Sequence, residues 1–221
     1  MRVRLLLSAH MENLPIRLKE PLGKSPNIVL IHGNWVFGKV PQWISNFKKD
    51  LPGLLGDVNI WGEKLPSPVI GKSSKWLPVL ESLIDENTFI GAHSTGTLAA
   101  FRIAEKHKIK VLVAACPYDT YKLPLPFPVP QIERMGGWFD KDFNWAKIYN
   151  NIEKIVILAP LHDKSIPEIV AQRVIDQFKN LDEQYGLNKF KFVRPEGGHE
   201  IVGNVALAFQ QEIVAVVNSL R

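Results

Sequence analysis

One cysteine, Cys116, in 221 residues excludes an intrachain disulfide and fits a reducing compartment. No apolar run approaches the roughly 20 residues of a membrane span. The stretch Leu5-Leu6-Leu7 behind Arg2 and Arg4 is too short for a signal-peptide core, so the expected location is cytoplasmic, with no membrane partner. The 27 Lys and Arg against 22 Asp and Glu are dispersed in short groups such as Lys48-Lys49 and Lys106-His107-Lys108. Without clustering or a recognisable binding module, no nucleic-acid partner is expected. No His-x-x-x-His or Cys/His ligand spacing is present, so no metal is expected. A dinucleotide binder needs Gly-x-Gly-x-x-Gly after its first strand, and only Gly33 and Gly38 stand there. No internal repeat is visible.

Apolar strand-like runs alternate with helical spacings. Ile28-Val29-Leu30-Ile31 reads as a strand buried on both faces, and Pro41 opens a helix through Trp43, Ile44, Phe47 and Leu51. Val58–Trp61, the run from Thr88, Val111–Ala115, Ile155–Ala159 and Phe190–Val193 read as five further strands. Between them, residues 72–85, 144–151 and those after Pro167 read as helices. The last helix carries Val205, Phe209, Ile213, Val216 and Leu220 on one face. This alternation implies a three-layer α/β/α domain with a six-stranded parallel sheet, order 2-1-3-4-5-6. Length favours one domain over residues 1–221. Residues 1–26 read as an N-terminal extension in which Val3, Leu5 and Leu7 could form an edge strand. Residues 116–143 read as a cap-like insertion, with Pro124, Pro126, Pro128 and Pro130 making a stiff apolar cap beside Trp138, Phe139, Phe143 and Trp145.

The centre of the chain is Thr88-Phe89-Ile90-Gly91-Ala92-His93-Ser94-Thr95-Gly96, followed by helix-forming Leu98, Ala99, Ala100, Phe101 and Ile103. Small residues two before and two after a serine, at a strand-to-helix junction, fit a nucleophile elbow, because a sharp turn brings those backbones together. The same serine could be an ordinary helix N-cap. As a nucleophile it needs a base, and the base an orienting acid, from loops at the same end of the sheet. Asp163 follows the fifth strand and His199 the sixth, giving the order Ser94, Asp163, His199. Glu168, Asp140 and Asp142 compete as the acid. Glu168 falls at a helix start, where the dipole explains a carboxylate. The backbone N–H of Asn34 or Trp35, after the first strand, could join that of Thr95 in an oxyanion hole. Trp35, Trp138 and Phe139 are the expected pocket residues. Cys116 could be a thiol nucleophile, but it lacks the flanking elbow. His93 and His162 are expected to tune or pack beside the triad.

These motifs together resemble a small α/β-hydrolase family, the serine hydrolases typified by retinoblastoma-binding protein 9 and its bacterial relatives. The likeness covers about residues 27–220. It runs through Gly33-Asn34, Ser74 to Pro78, His93-Ser94-Thr95-Gly96, Gly137-Trp138-Phe139, Trp145 to Lys147, Asp163 with Pro167, and Gly198-His199. Ala92 stands where the family usually carries glycine. The resemblance implies a minimal α/β-hydrolase fold, with Ser94 as nucleophile, Asp163 as acid and His199 as base. It also implies a hydrolase of small esters or amides that uses no cofactor. The Leu-x-Cys-x-Glu peptide that binds retinoblastoma-type pockets is absent, so no specific protein partner is carried over.

The expected function is therefore cleavage of a small carboxylic ester, or an amide, through an acyl-enzyme. The alternative is a non-catalytic ligand- or protein-binding member of the same fold, since fold alone does not secure function.

Overall fold

The structure, a computed structural model, describes residues 27–122, 131 and 134–220. The edge strand expected within 1–26 and the cap expected on Pro124, Pro126, Pro128 and Pro130 lie outside the described residues. Six parallel strands, β1 (Asn27–Ile31), β2 (Asn59–Trp61), β3 (Thr88–His93), β4 (Ile109–Ala115), β5 (Ile152–Leu158) and β6 (Phe190–Val193), form one sheet. Their order is β2-β1-β3-β4-β5-β6, as the alternation of segments predicts. Helices α1 (Gln42–Leu55), α2 (Ser73–Glu81), α3 (Thr95–Ala104), α4 (Trp145–Asn150), α5 (Glu168–Tyr185) and α6 (Gly203–Ser219) cover it. No helix among the described residues is long and apolar enough to cross a membrane.

Residues of β1 alternate between the two faces, as pleating requires. Ile28 and Leu30 pack with α1 and α6, through Trp43, Phe47, Phe209 and Ile213. Val29 and Ile31 pack on the other side with α2 to α5, through Trp76, Leu98, Phe101 and Phe178. The central strands are therefore apolar throughout, which is why they read as continuous runs. On α6 the buried stripe is Val205, Phe209, Ile213 and Val217. Val217 is the fully buried residue of the last turn, and the expected Val216 and Leu220 pack half-buried against the same cluster.

The described part of the 116–143 segment departs from the expected irregular cap. Gln131, Arg134 and Met135 are helical, which suits three good helix formers. Residues 138–143 are tied to α3. The Arg102 guanidinium donates to the carbonyls of Trp138, Lys141 and Asp142 and covers the Phe143 ring. The Trp138 indole is fully buried against Trp76 and donates to the Gly71 carbonyl at 2.6 Å. An indole gains more from full burial with its N–H satisfied than from a place on a wet surface.

One close approach fixes how α3 meets the sheet. A Cβ on Gly96 would stand 2.5 Å from the Ile31 carbonyl oxygen and 2.7 Å from that of His32. The crowding that the small-residue pattern signals is thus mainly with the end of β1 rather than with Ala92. Backbone oxygens cannot swing aside as a flexible side chain can. Gly96→Ala is expected to lower stability by about 1–3 kcal/mol, read as a lower urea midpoint with an unchanged m-value.

Candidate active site

Ser94 stands between β3 and α3 with φ 53° and ψ −125°. A non-glycine residue there is strained and persists only when its surroundings over-determine it. Three hydrogen bonds do so. Ser94 N–H extends the β3–β4 ladder to the Ala115 carbonyl at 2.9 Å. The Ser94 carbonyl accepts from Thr97 N–H at 2.8 Å and from the Thr97 hydroxyl at 2.7 Å. The Ser94 side chain makes no capping bond to the helix, which removes the N-cap alternative. Trp35 and Cys116 also have positive φ, 60° and 55°. All three follow neighbouring strands, at the same end of the sheet.

The acid and histidine loops are laced together. Ala159, Leu161 and His162 donate from their backbones to the carbonyls of Val193, Pro195 and Gly197 at 2.9–3.1 Å. Gly197 has φ 138°, and a Cβ there would come within 2.6 Å of Val205, so glycine is required for the chain to pass. From this scaffold the His199 ring bridges two partners. Its Nδ1 lies 2.9 Å from Asp163 Oδ2 and its Nε2 3.0 Å from Ser94 Oγ. Asp163 Oδ1 accepts from the N–H groups of Ser165 and Ile166, each at 2.8 Å. The structure thus brings Ser94, His199 and Asp163 into one hydrogen-bonded chain. Of the competing acids, Glu168 is exposed and pairs with Arg194, and Asp140 and Asp142 lie with the segment on α3.

Burial alone works against the charged form of Asp163. The hydrogen bond and charge of His199, with the two backbone N–H groups, outweigh it and hold the carboxyl below its usual range. A carboxylate accepting at Oδ2 assigns the His199 proton to Nδ1, leaving Nε2 to accept from the serine hydroxyl.

Other expected site residues separate into those near the cleft and those away from it. A cleft of about 670 Å³ is lined by Ser94, His199, Asn34, Tyr118, Ile166 and an apolar wall that includes Trp35, Phe37, Val40 and Trp43, with Lys39 and Glu200 also in its lining. Trp35 is in this wall as expected, but Trp138 and Phe139 are not: Trp138 is core, and Phe139 packs on Tyr118, Tyr121 and Phe143. The Trp35 backbone N–H donates to the Val69 carbonyl at 3.2 Å, so it is engaged away from the serine. Thr95 N–H is the first of α3, where intrahelical acceptors are lacking. The Thr95 hydroxyl pairs with the buried Tyr118 hydroxyl at 2.9 Å.

His162 turns to solvent and faces Glu196 at 3.2 Å, so it does not pack beside the serine. His32 is buried, accepts from Leu65 N–H at 2.9 Å and stands edge-on to Trp76. Burial lowers its pKa. His93 stands 4.9 Å from the His199 ring, centroid to centroid. Its pKa is lowered to about 3 by burial first and then by the charge of His199. Cys116 is buried and its thiol is pushed up by that burial, which does not suit a thiolate nucleophile.

Linear spacing hid one cluster. His93, Cys116 and His199, three strand-end residues far apart in sequence, gather with one potential ligand atom each within 4.8 Å. They do not make a good metal site. His93 Nε2 and Cys116 Sγ both point at the His199 carbonyl oxygen, and the two His199 nitrogens face Ser94 and Asp163.

Two buried neutral histidines predict an acid-sensitive fold. His32 and His93 take up protons in the unfolded chain from about pH 6.5 downward, but in the folded chain only at lower pH. Stability is full above that value and falls as pH drops through it. A shallower acid loss in His93→Gln, measured by urea midpoints between pH 7 and 4, is the expected result.

Comparison with known proteins agrees with this fold. No protein-family model matches the chain. Among solved structures, the ydeN gene product of B. subtilis superposes with a TM-score of 0.61 at 18% identity, over 88% of this chain and 98% of that one. A serine hydrolase, CCSP0084, from Cycloclasticus zankles does so with 0.63 at 16% identity, over 89% and 91%. The monoacylglycerol lipase of Paleococcus ferrophilus gives 0.62 at 16% identity, over 88% and 96%. At such identities these establish the fold. Serine hydrolase RBBP9 of Rattus norvegicus is 30% identical over 137 residues, which span 61% of this chain and 68% of that protein. The parallel sheet, its strand order and this level of identity make the chain an α/β hydrolase of the RBBP9 family of serine hydrolases.

Proposed function

We propose that this serine hydrolase cleaves a carboxylic ester carrying an apolar group, through an acyl-enzyme formed on Ser94. The observation that carries the proposal is the continuous chain from Ser94 Oγ through the His199 ring to Asp163, at 3.0 Å and 2.9 Å, beside an apolar-walled cleft. Ser94 Oγ attacks the carbonyl carbon while its proton passes to His199 Nε2. Asp163, held ionised by its three donors, keeps the imidazole in the required tautomer and stabilises its charged form. The tetrahedral oxyanion is met by Thr95 N–H at the start of α3 and by the Asn34 N–H. The ester C–O bond then breaks, and His199 returns the proton to the departing alcohol. A water then gives its proton to the same Nε2 and attacks the acyl carbon; the acyl–Oγ bond breaks, His199 returns that proton to Ser94 Oγ, and the acid leaves. Besides substrate and water, the steps use groups of the chain itself, in a single domain whose lone cysteine suits the cytoplasm.

The wall of Trp35, Phe37 and Trp43 supports the apolar preference. Phe37 is 72% exposed, more than a side chain serving only the core. Phe37→Ala is expected to raise KM several-fold for p-nitrophenyl hexanoate or longer esters while leaving the acetate ester nearly unchanged. A uniform loss across chain lengths would remove Phe37 from the acyl site.

The central test is labelling with a fluorophosphonate probe together with turnover of an ester and amide panel. Wild type should label at Ser94, and Ser94→Ala should lose labelling and about 10⁴-fold or more in kcat. Near wild-type turnover in that variant would sink the assignment. Folded wild type that neither labels nor turns over any substrate would favour a ligand-binding role for the cleft.

A further inference from the structure

Two side chains outside the Ser94–His199–Asp163 chain converge on one of its backbone atoms. The His199 carbonyl oxygen accepts from His93 Nε2 at 2.8 Å and from the Cys116 thiol at 3.4 Å. We propose that His93 and Cys116 are positioning residues that clamp the His199 main chain, keeping its ring aligned between Ser94 and Asp163 throughout turnover. The inference rests on reading His199 as the base.

The need for a clamp follows from the loop. His199 lies outside regular structure, two residues past Gly197, where the lacing to the Asp163 loop ends, and Gly198 between them has wide backbone freedom. Of the two contacts of its ring, only that of Nδ1 with Asp163 persists through turnover, because the bond from Nε2 to Ser94 must break each time the proton moves on. A carbonyl oxygen takes no part in the chemistry and can be held continuously. It is held from the two most enclosed strands. His93 is the last residue of β3, in register with Ala115 of β4. Cys116 follows β4 and donates its own N–H to the Leu158 carbonyl of β5 at 2.9 Å. The dipeptide His93-Ser94 thereby carries the nucleophile on one residue and indexes the base with the other. A one-residue separation along the elbow sets both ends of the Ser94–His199 contact.

The protonation states fit this role. A carbonyl oxygen only accepts, so the His93 proton sits on Nε2. Burial keeps that imidazole neutral down to about pH 3, so it places no second positive charge beside His199 when His199 becomes protonated. Burial likewise keeps the Cys116 thiol protonated and therefore a donor. A weak donor at 3.4 Å is the lesser partner, and His93 the main one.

The test compares kcat per active site, counted by fluorophosphonate titration, in full-length variants. His93→Phe retains a ring and removes the donor. It should lower kcat about tenfold or more with KM within about twofold. His93→Gln, which can restore an N–H donor, should recover much of the loss, and Cys116→Ala should lower kcat by about threefold. A purely structural role would reduce the number of titratable sites and the melting temperature, but not kcat per site. Wild-type kcat per site in His93→Phe overturns the clamp. So does equal impairment of the Phe and Gln variants when both are folded. If His93→Phe does not fold, the other two variants decide: a kcat-only loss in Cys116→Ala with an active Gln variant supports the clamp, and an unchanged Cys116→Ala or a folded but inactive Gln variant overturns it. Ser94→Ala separates the two levels. Turnover surviving in it defeats the reading of the site, whereas its loss alongside a fully active His93→Phe defeats only the clamp.

Discussion

The contact between Gly96 and the end of β1 is the constraint on which the site depends. It lets the first turn of α3 settle against the Ile31 and His32 carbonyls, with no side chain between helix and sheet. The chain can then leave β3 and enter α3 within a single residue. That residue must take a left-handed conformation, and its side chain is thrown clear of both elements. Gly33 adds to this from the other side, since a Cβ there would stand 3.0 Å from the Ser94 Cβ. The exposure and direction of one hydroxyl are thus decided by two places where a neighbouring backbone must come close.

The second organising element is the register of β5 with β6. Leu158 stands opposite Val193, and the hydrogen bonds from Ala159, Leu161 and His162 continue that pairing beyond the strands. Asp163 and His199 meet because two loops run on together as a ladder. Electrostatics then complete the arrangement. The backbone N–H groups of Ser165 and Ile166 secure one carboxylate oxygen of Asp163 and leave the other to the imidazole. The acid is oriented by its own loop before the histidine is considered.

Much of this was legible in the sequence because the signals are local. Strands buried on both faces read as unbroken apolar runs, and the order of strands and helices implied the sheet. Ser94, Asp163 and His199 were each recognisable as polar residues just past a strand end. What could not be read depends on contacts between distant segments. Trp138 resembles a pocket residue in sequence, and only the Gly71 carbonyl and Trp76 show it to be core. The engagement of the Trp35 N–H depends on Val69, 34 positions away. The convergence of His93 and Cys116 on the His199 carbonyl has no signature at all in linear spacing, because it is produced by the ends of neighbouring β3 and β4 meeting the loop that follows β6.

Among the described residues, five non-glycine positions have positive φ, and the three that follow strands of the sheet near the cleft, Trp35, Ser94 and Cys116, carry a further meaning. Each such conformation costs on the order of 1–3 kcal/mol, which exceeds the roughly 0.5–1 kcal/mol that the freer unfolded chain of a glycine would cost in its place. At Ser94 the fold would be indifferent to losing the side chain, or would gain from it, whereas Cys116 also fills a place in the buried core. Folding stability and the chemistry of the strand ends therefore pull in opposite directions. A population of such sequences drifting under selection for stability alone would be expected to accumulate glycine at position 94.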